Sequence, residues 1–90
     1  MSCDAIASRN TRWVLYLIEC EGGRYYTGIT TDLERRFEEH CAGAGARYTR
    51  MYAPVRVVAA MEFADRSSAS KAEAAVKRLA RKEKPEFFAR

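Results

Sequence analysis

The sequence predicts an α/β (α+β) fold, a compact domain with a three-stranded, mainly antiparallel sheet flanked by helices. Two apolar runs joined by a Gly-Gly turn are typical of a β-hairpin. A valine-rich run further along the chain predicts a third strand, and two stretches with apolar residues at helical spacing predict helices. The 90 residues are enough for one domain.

The composition favours a polyanionic partner and argues against a membrane protein. The chain has 16 basic and 12 acidic residues, a formal net charge of +4. This charge favours nucleic acid or another polyanion without requiring one. No apolar run reaches the ~18 residues of a membrane span, so we expect no membrane association.

The cysteines and the N-terminal residues indicate a reducing environment. An odd number of cysteines without a C-x-x-C pair argues against a disulfide framework and against thiolate metal ligation. Cys20 and Cys41 lie on apolar stretches and are predicted to be small core residues. Residues 1–11 show neither periodicity nor a signal-peptide core. We therefore expect a flexible leader, a single domain at 12–90 and a cytoplasmic location.

The first strand and its return strand decide where two tyrosines lie. Trp13–Cys20 is nearly continuous apolar sequence, as expected of a strand that is covered on both faces. Residues 21–23 turn the chain, and residues 24–29 form the second strand. A three-residue loop places Tyr16 and Tyr26 on the same face of the sheet, whereas a slip of one residue would separate them. We predict the shared face.

A helix is predicted over residues 32–42. Thr31 and Glu34 have the spacing of a capping box at its start. Arg36 and His40, four residues apart, share a face at the edge of the apolar stripe. The stripe itself consists of Leu33, Phe37 and Cys41. A hairpin feeding a helix that presents an arginine and a histidine beside the sheet predicts a phosphate site.

The segment that follows mixes cations with aromatic rings. Arg47 and Arg50 alternate with Tyr48, a pattern suited to the backbone and bases of a nucleic acid. For Tyr48 an alternative remains open, in which the ring simply packs on the sheet. The third strand is predicted over Pro54–Phe63, opened by a proline whose missing N–H is dispensable at a strand start.

The second helix, predicted over residues 68–81, carries one acidic residue inside its apolar stripe. Residues 65–68 form a turn with capping hydroxyls before it. Glu73 falls among alanines and Val76, where an ionised carboxylate needs a partner. That partner is either a metal ion or a cation, from Arg36 or another side chain. The outer face is basic, and its Lys71 and Lys77 are predicted to bind nucleic acid together with the arginines and Tyr48 of the preceding segment.

Three short motifs carry a resemblance to a known family. They are Val14-Leu15-Tyr16, Tyr26-Thr27-Gly28 and Asp32-Leu33-Glu34-Arg35-Arg36. In this order and spacing they resemble the Gly-Ile-Tyr, Tyr-Ile-Gly and Asn/Asp-Leu-x-x-Arg elements of the GIY-YIG nucleases. Residues 46–49 and 73–78 extend the likeness to small single-domain bacterial members, which are related to the incision domain of bacterial excision-repair nucleases. The resemblance covers the chain to about residue 84.

The resemblance implies a metal-dependent endonuclease that hydrolyses phosphodiester bonds in DNA, including branched or damaged DNA in repair. Mg²⁺ would be the cofactor, with Mn²⁺ able to substitute, and Glu73 would hold it. Arg36 would bind the phosphate. Tyr16 or Tyr26 would deprotonate the attacking water, with His40 positioning a tyrosine hydroxyl or taking its proton. A tyrosine of pKa ~10 is a poor base unless nearby cations lower that pKa.

The chain also departs from the family pattern. Val14 and Thr27 replace a glycine and an isoleucine at packing positions, and the C-terminal asparagine of many members is absent, Asn10 being the only asparagine. Two other functions remain open: a nucleic-acid-binding module with little turnover, and a partner-docking domain. Since no second domain is predicted, a protein partner could supply the specificity.

Overall fold

The structure of the chain, a computed structural model, describes residues 12–89 and confirms the predicted fold class. The strands are β1 (Trp13–Cys20), β2 (Arg24–Thr30) and β3 (Pro54–Phe63), and the helices are α1 (Leu33–Cys41), α2 (Arg47–Met51), α3 (Arg66–Lys77) and α4 (Lys84–Phe88). The sheet has the order β2-β1-β3, and both pairings are antiparallel. The predicted leader at 1–11 lies outside the described residues.

The hairpin turn sets the register between β1 and β2. Glu21–Gly23 forms a 3-10 turn in which Gly22 and Gly23 have φ of 81° and 73°. Only glycine adopts this left-handed region without strain. Tyr16 therefore pairs with Gly28. Since side chains alternate along a strand, Tyr16 and Tyr26 lie on one face, and the predicted shared face is confirmed.

The central strand β1 is buried on both faces, as its apolar sequence predicts. Tyr16, Ile18 and Cys20 form a core cluster on one face, and side chains of α1 and α2 pack against it. Leu15 and Leu17 alternate with them and are equally buried. The helix α3 packs against β1 and β2. The core thus surrounds the strand that carries the first tyrosine.

The inward position at the end of α1 belongs to His40 and not to Cys41. The apolar spacing predicts Cys41 in the core, but this thiol is exposed. The side chain of His40 takes the buried position instead, with 0% of its surface exposed. The prediction for Cys41 is therefore wrong, because a polar ring with buried hydrogen-bond partners lies where the apolar stripe would continue. The prediction for Cys20 is confirmed.

Both long helices begin with an aspartate cap. The carboxylate of Asp32 accepts a hydrogen bond from the Arg35 N–H at 3.1 Å, so the predicted Thr31 cap is wrong by one residue. Asp32 has the extended conformation that an N-cap requires. At α3 the Asp65 carboxylate accepts from the Ser68 N–H at 2.7 Å, in place of the predicted hydroxyl caps.

The helix α3 ends at Lys77, four residues before the predicted end. Ala80 is extended, and its N–H donates to the Glu83 carboxylate at 3.1 Å. The ammonium group of Lys84 returns to the end of α3 and donates to the Val76 carbonyl at 2.9 Å. This contact adds to the backbone N–H of Leu79, which donates to the same carbonyl at 3.0 Å.

Candidate active site

Tyr16 lies at the centre of the candidate site, with 1% of its surface exposed. Its ring covers Gly28, its cross-strand partner on β2. A Cβ at position 28 would lie 2.5 Å from the Tyr16 hydroxyl oxygen and 2.8 Å from Cζ. Residue 28 must therefore lack a side chain, since a methyl group would displace a buried ring.

His40 contacts the Tyr16 hydroxyl from α1. Its Nε2 lies 3.1 Å from that oxygen, and its Nδ1 lies 2.7 Å from the hydroxyl of Thr49. The Thr49 hydroxyl in turn donates to the Ala46 carbonyl at 2.9 Å. A Cβ added to Gly45 would overlap the imidazole ring. The chain after α1 thus closes tightly around this histidine.

Arg36 reaches the same tyrosine from the adjacent turn of α1. Its guanidinium lies near enough to Tyr16 to lower the pKa of that tyrosine, and Nη1 donates to the Glu39 carboxylate at 2.9 Å. The Arg36 side chain is 33% exposed, so it connects the buried tyrosine with solvent. Arg35 points elsewhere, is 65% exposed, and pairs loosely with Asp32 and Glu39 at 3.6 and 3.8 Å.

Burial dominates the ionisation of the tyrosine. It raises the pKa of Tyr16 to about 12, a shift that Arg36 opposes and that the charges of Tyr26 and Glu73 increase. A tyrosine that acts as a base needs nearby cations to lower its pKa. In the metal-free protein, desolvation outweighs the one cation at hand, so Tyr16 is a neutral hydrogen-bonding group.

Burial also keeps His40 neutral. It lowers the pKa of the imidazole, and the neighbouring Arg36 charge lowers it further, while Glu39 opposes the shift. A neutral imidazole carries one N–H and one free lone pair. His40 can therefore accept a proton from the tyrosine that it contacts.

An aromatic cluster completes the site on the β2 side. The Tyr26 ring centroid lies 5.1 Å from that of His40 and 6.3 Å from that of Tyr16. Tyr26 is half-buried, so it is more accessible than Tyr16. The sequence-predicted pair of tyrosines is thus brought together with His40, but the two hydroxyls occupy different surroundings.

The helix α2 contributes both to packing and to the surface. The Tyr48 ring packs between Tyr26 and Tyr52, at centroid distances of 5.8 and 5.1 Å. This arrangement supports the packing alternative for Tyr48. Arg47 and Arg50, predicted with it as nucleic-acid contacts, are exposed.

Glu73 lies within electrostatic reach of Tyr16, as its effect on the tyrosine pKa shows. Its carboxylate is 3.3 Å from the ammonium of Lys77, so the cation partner anticipated for it is Lys77 and not Arg36. The Glu73 side chain is 21% exposed and that of Lys77 is 59% exposed. The outward-facing Lys71 of the same helix is exposed.

The donor set suits a metal ion that keeps most of its water. Within residues 12–89, no group of three or more His, Cys, Asp and Glu side chains could enclose a metal. The partly accessible carboxylate of Glu73 alone fits a hydrated Mg²⁺, which is often bound through one or two carboxylates. A separate concavity of about 670 Å³ contains none of the predicted catalytic side chains and is lined by Leu33, Glu34, Phe37, Glu38 and Val57.

Two features of the site escaped the sequence analysis. Thr49 lies in the segment whose arginines and tyrosine are predicted to contact nucleic acid. No periodicity in the sequence distinguishes its hydroxyl. Gly45 stood in a glycine- and alanine-rich loop that predicted only a helix stop. Its close contact with His40 could have been suspected only from the resemblance around residues 46–49. Both depend on how the chain returns to α1.

Comparisons with known proteins agree with this geometry. A family model described as the GIY-YIG catalytic domain matches residues 12–86. A UPF0213 protein of Xanthomonas axonopodis pv. citri is 57% identical over 72 residues, covering 80% of this chain and 71% of the relative. A UPF0213 protein of Cupriavidus pinatubonensis is 52% identical over 79 residues, covering 88% of each chain.

Two solution NMR structures show the same architecture. They are of a UPF0213 protein from Bacillus halodurans, with a TM-score of 0.54, and of a protein from E. faecalis, with a TM-score of 0.61. Each is 40% identical and covers 87% of this chain and 83% of its own. None of the helices within residues 12–89 is long and apolar enough to cross a membrane. From the matched family model and these relatives, the chain belongs to the GIY-YIG family, whose catalytic domain is a nuclease domain.

Proposed function

We propose that this protein is a metal-dependent endonuclease that hydrolyses phosphodiester bonds in DNA, including branched or damaged DNA of the kind met in repair. One observation supports the proposal above others. The Tyr16 hydroxyl lies 3.1 Å from a proton acceptor, His40 Nε2, and Arg36 is near enough to lower the pKa of the same tyrosine. This arrangement joins a general base to a phosphate-binding cation in one site.

Arg36 binds the scissile phosphate through its partly exposed guanidinium. Its planar set of N–H donors matches phosphate oxygens and stabilises the charge that develops on them. Because Arg36 is near Tyr16, a phosphate held by its guanidinium would lie near the tyrosine oxygen.

Tyr16 acts as the base, with His40 as the acceptor of its proton. As the attacking water loses a proton to the tyrosine oxygen, the tyrosine passes its own proton to Nε2. The new P–O bond forms, the bond to the leaving oxygen breaks, and that oxygen takes a proton from solvent. Water must reach a tyrosine that is 1% exposed in the free protein, so half-buried Tyr26 is the second candidate for the base.

Glu73 would hold the metal ion, Mg²⁺ or in its place Mn²⁺. The ion would supply positive charge that offsets the charge of the phosphate. Lys77 must leave the carboxylate when a dication binds, and its 59% exposed side chain is free to move outward. Arg47, Arg50 and Lys71 are exposed cations available to the DNA backbone.

The test compares cleavage of labelled hairpin, flap and duplex DNA by the wild-type protein and Glu73→Gln, with and without Mg²⁺. We expect Mg²⁺-dependent nicking by the wild type and none by the variant, since a neutral amide binds a hard dication poorly. Glu38→Gln, at an exposed position of α1, is the matched control and should keep its activity.

Melting of the same preparations separates a ligand from a structural glutamate. Loss of the Glu73–Lys77 pair should change the metal-free unfolding free energy by no more than about 0.5 kcal/mol, as for helical i,i+4 pairs, because the Lys77 side chain is 59% exposed and stays hydrated without its partner. Nicking that survives in proportion to the folded fraction would contradict the metal-ligand role. DNA binding by the wild type without cleavage would favour the binding module, and no binding at low salt would favour partner docking.

A further inference from the structure

Thr49 is a buried polar residue to which the proposed reaction assigns no role. It is 2% exposed, and its hydroxyl lies between the His40 ring and the Ala46 carbonyl. Hydrogen positions follow from counting donors and acceptors around such groups. For His40, donors and acceptors can be counted separately at Nδ1 and at Nε2.

At Nδ1, the count is fixed by the single proton of the Thr49 hydroxyl. That proton goes to the Ala46 carbonyl, three residues earlier, at 2.9 Å. Such a return bond to the backbone is common for threonine in a helix. The oxygen then has only lone pairs to offer His40 at 2.7 Å, so Nδ1 must carry the imidazole proton.

At Nε2, the count is fixed by the hydroxyl of Tyr16. This buried hydroxyl has one proton to donate. The tyrosine proton then needs an acceptor inside the core, and Nε2 at 3.1 Å supplies one. The opposite tautomer would turn an N–H toward Tyr16 and leave the tyrosine proton without that partner. Both ends of the ring therefore indicate the same tautomer.

The chain around the ring prevents it from turning over. Gly45 lies so close to the imidazole that even a methyl group would overlap it, and the Tyr26 ring lies on another side at 5.1 Å between centroids. The charged neighbours Arg36 and Glu39 belong to the helix of His40 itself. The hydroxyl of Thr49 is thus the group that selects between the two nitrogens.

We propose that Thr49 is a positioning residue that holds His40 as the Nδ1–H tautomer, so that Nε2 stays available for the Tyr16 proton. The catalytic consequence rests on the proposed nuclease function, whereas the tautomer itself does not. Without the hydroxyl, Nδ1 loses its acceptor and the proton redistributes between the nitrogens. The fraction of molecules ready to accept the tyrosine proton then falls.

The test reads the tautomer directly by long-range ¹H–¹⁵N NMR at pH 7.5. His40 is the single histidine of the chain, so its two nitrogen signals need no further assignment. We expect Nδ1–H in the wild-type protein and in Thr49→Ser, and a mixture of tautomers in Thr49→Val. Thr27→Val is the matched control, because Thr27 is a buried threonine whose hydroxyl bonds a backbone carbonyl and not His40.

A kinetic comparison follows on the same four proteins, each corrected for its folded fraction. We expect Thr49→Val to lower kcat by about 10-fold or more with little change in KM, and Thr49→Ser to retain most of kcat. An Nε2–H wild type, or a tautomer unchanged in Thr49→Val, would overturn the inference whatever the activity. A wild-type protein with the Nδ1–H tautomer but no cleavage would overturn the nuclease function alone.

Discussion

Arg35 and Arg36 are adjacent residues with the same chemistry, yet α1 places them in different surroundings. Arg36 lies near Tyr16 and pairs with Glu39, whereas Arg35 is 65% exposed and loosely paired. We expect Arg36→Lys to lower kcat/KM for nicking by about 10²-fold, because an ammonium cannot reproduce the planar donor set at the phosphate. Arg35→Lys should change it less than about threefold, as expected of an exposed and weakly held charge. Equal losses at both positions would mean that general electrostatics, and not a specific contact, causes the effect.

The protonation of His40 makes folding stability depend on pH. Its pKa is lowered in the folded protein by burial and by Arg36, with Glu39 opposing, and the rings of Tyr16 and Tyr26 face it from the sheet. The folded state therefore binds fewer protons than the unfolded state. The resulting stability is fully present above the unfolded pKa of ~6.5 and is lost as the pH falls through the lowered pKa.

We accordingly expect the melting temperature of the wild-type protein to fall between pH 7.5 and pH 5.5. His40→Gln removes the titrating ring and should melt with little change over the same range, although from a lower starting value. The chain has one histidine, so no other imidazole contributes. A parallel decline in both proteins would assign the pH dependence to other groups.

Gly28 shows how one residue depends on the pairing of two strands. Its Cα faces the Tyr16 ring because the hairpin register pairs these positions. Gly28→Ala should destabilise the fold by about 1–3 kcal/mol, since a methyl group would have to enter occupied space. In a Tyr16→Leu background the same change should be nearly neutral. Additive effects in this double-mutant cycle, measured by denaturant unfolding, would contradict the contact.

The elements differ in how far the sequence predicts them. Strand β3 has the predicted bounds. The three-residue turn also predicted correctly that Tyr16 and Tyr26 lie on the same face of the sheet. Both predictions depend only on the local sequence pattern. The end of α3 did not follow, since the apolar spacing continues to Leu79 and Ala80 although the helix ends at Lys77 and Ala80 is extended. Helical spacing alone likewise could not choose between Cys41 and the buried, hydrogen-bonded His40.

The candidate site was predictable where residues share an element and less so where elements meet. Arg36 and His40 share a helix face, and the hairpin brings the tyrosines together, so these contacts followed from spacing. Glu73 and Lys77 lie four residues apart on one helix, so their ion pair is local. Whether Glu73 pairs with Lys77 or with Arg36 depends on how the two helices pack. The hydroxyl of Thr49 reaches His40 through a loop whose path the sequence leaves open.

The charge of the whole molecule bears on DNA affinity and its salt dependence. The net charge is +4, and Arg47 and Arg50 are exposed beside the aromatic cluster. Replacing both by alanine should reduce the slope of log K against log salt by about 1–2, the value for one or two lost phosphate contacts. Fluorescence anisotropy of labelled DNA over a salt series measures this slope.

A control with the same change in net charge distinguishes a local interface from bulk attraction. Arg12 and Arg56 are exposed arginines paired with Glu62 and Glu19, at 3.3 and 2.9 Å. Their double replacement by alanine should leave the slope nearly unchanged. If both double variants lower the slope equally, net charge alone accounts for binding and α2 is not part of the interface.

The burial of Tyr16 and His40 has an evolutionary consequence. Both side chains belong to the core, at 1% and 0% exposure, so replacing either one destabilises the fold whether or not the protein cuts DNA. A lineage that abandoned cleavage would still retain this pair. Arg36 and Glu73 lie nearer the surface, and replacing them disturbs the core less. In descendants of this protein, substitutions at those two positions would be the earliest record of lost catalysis.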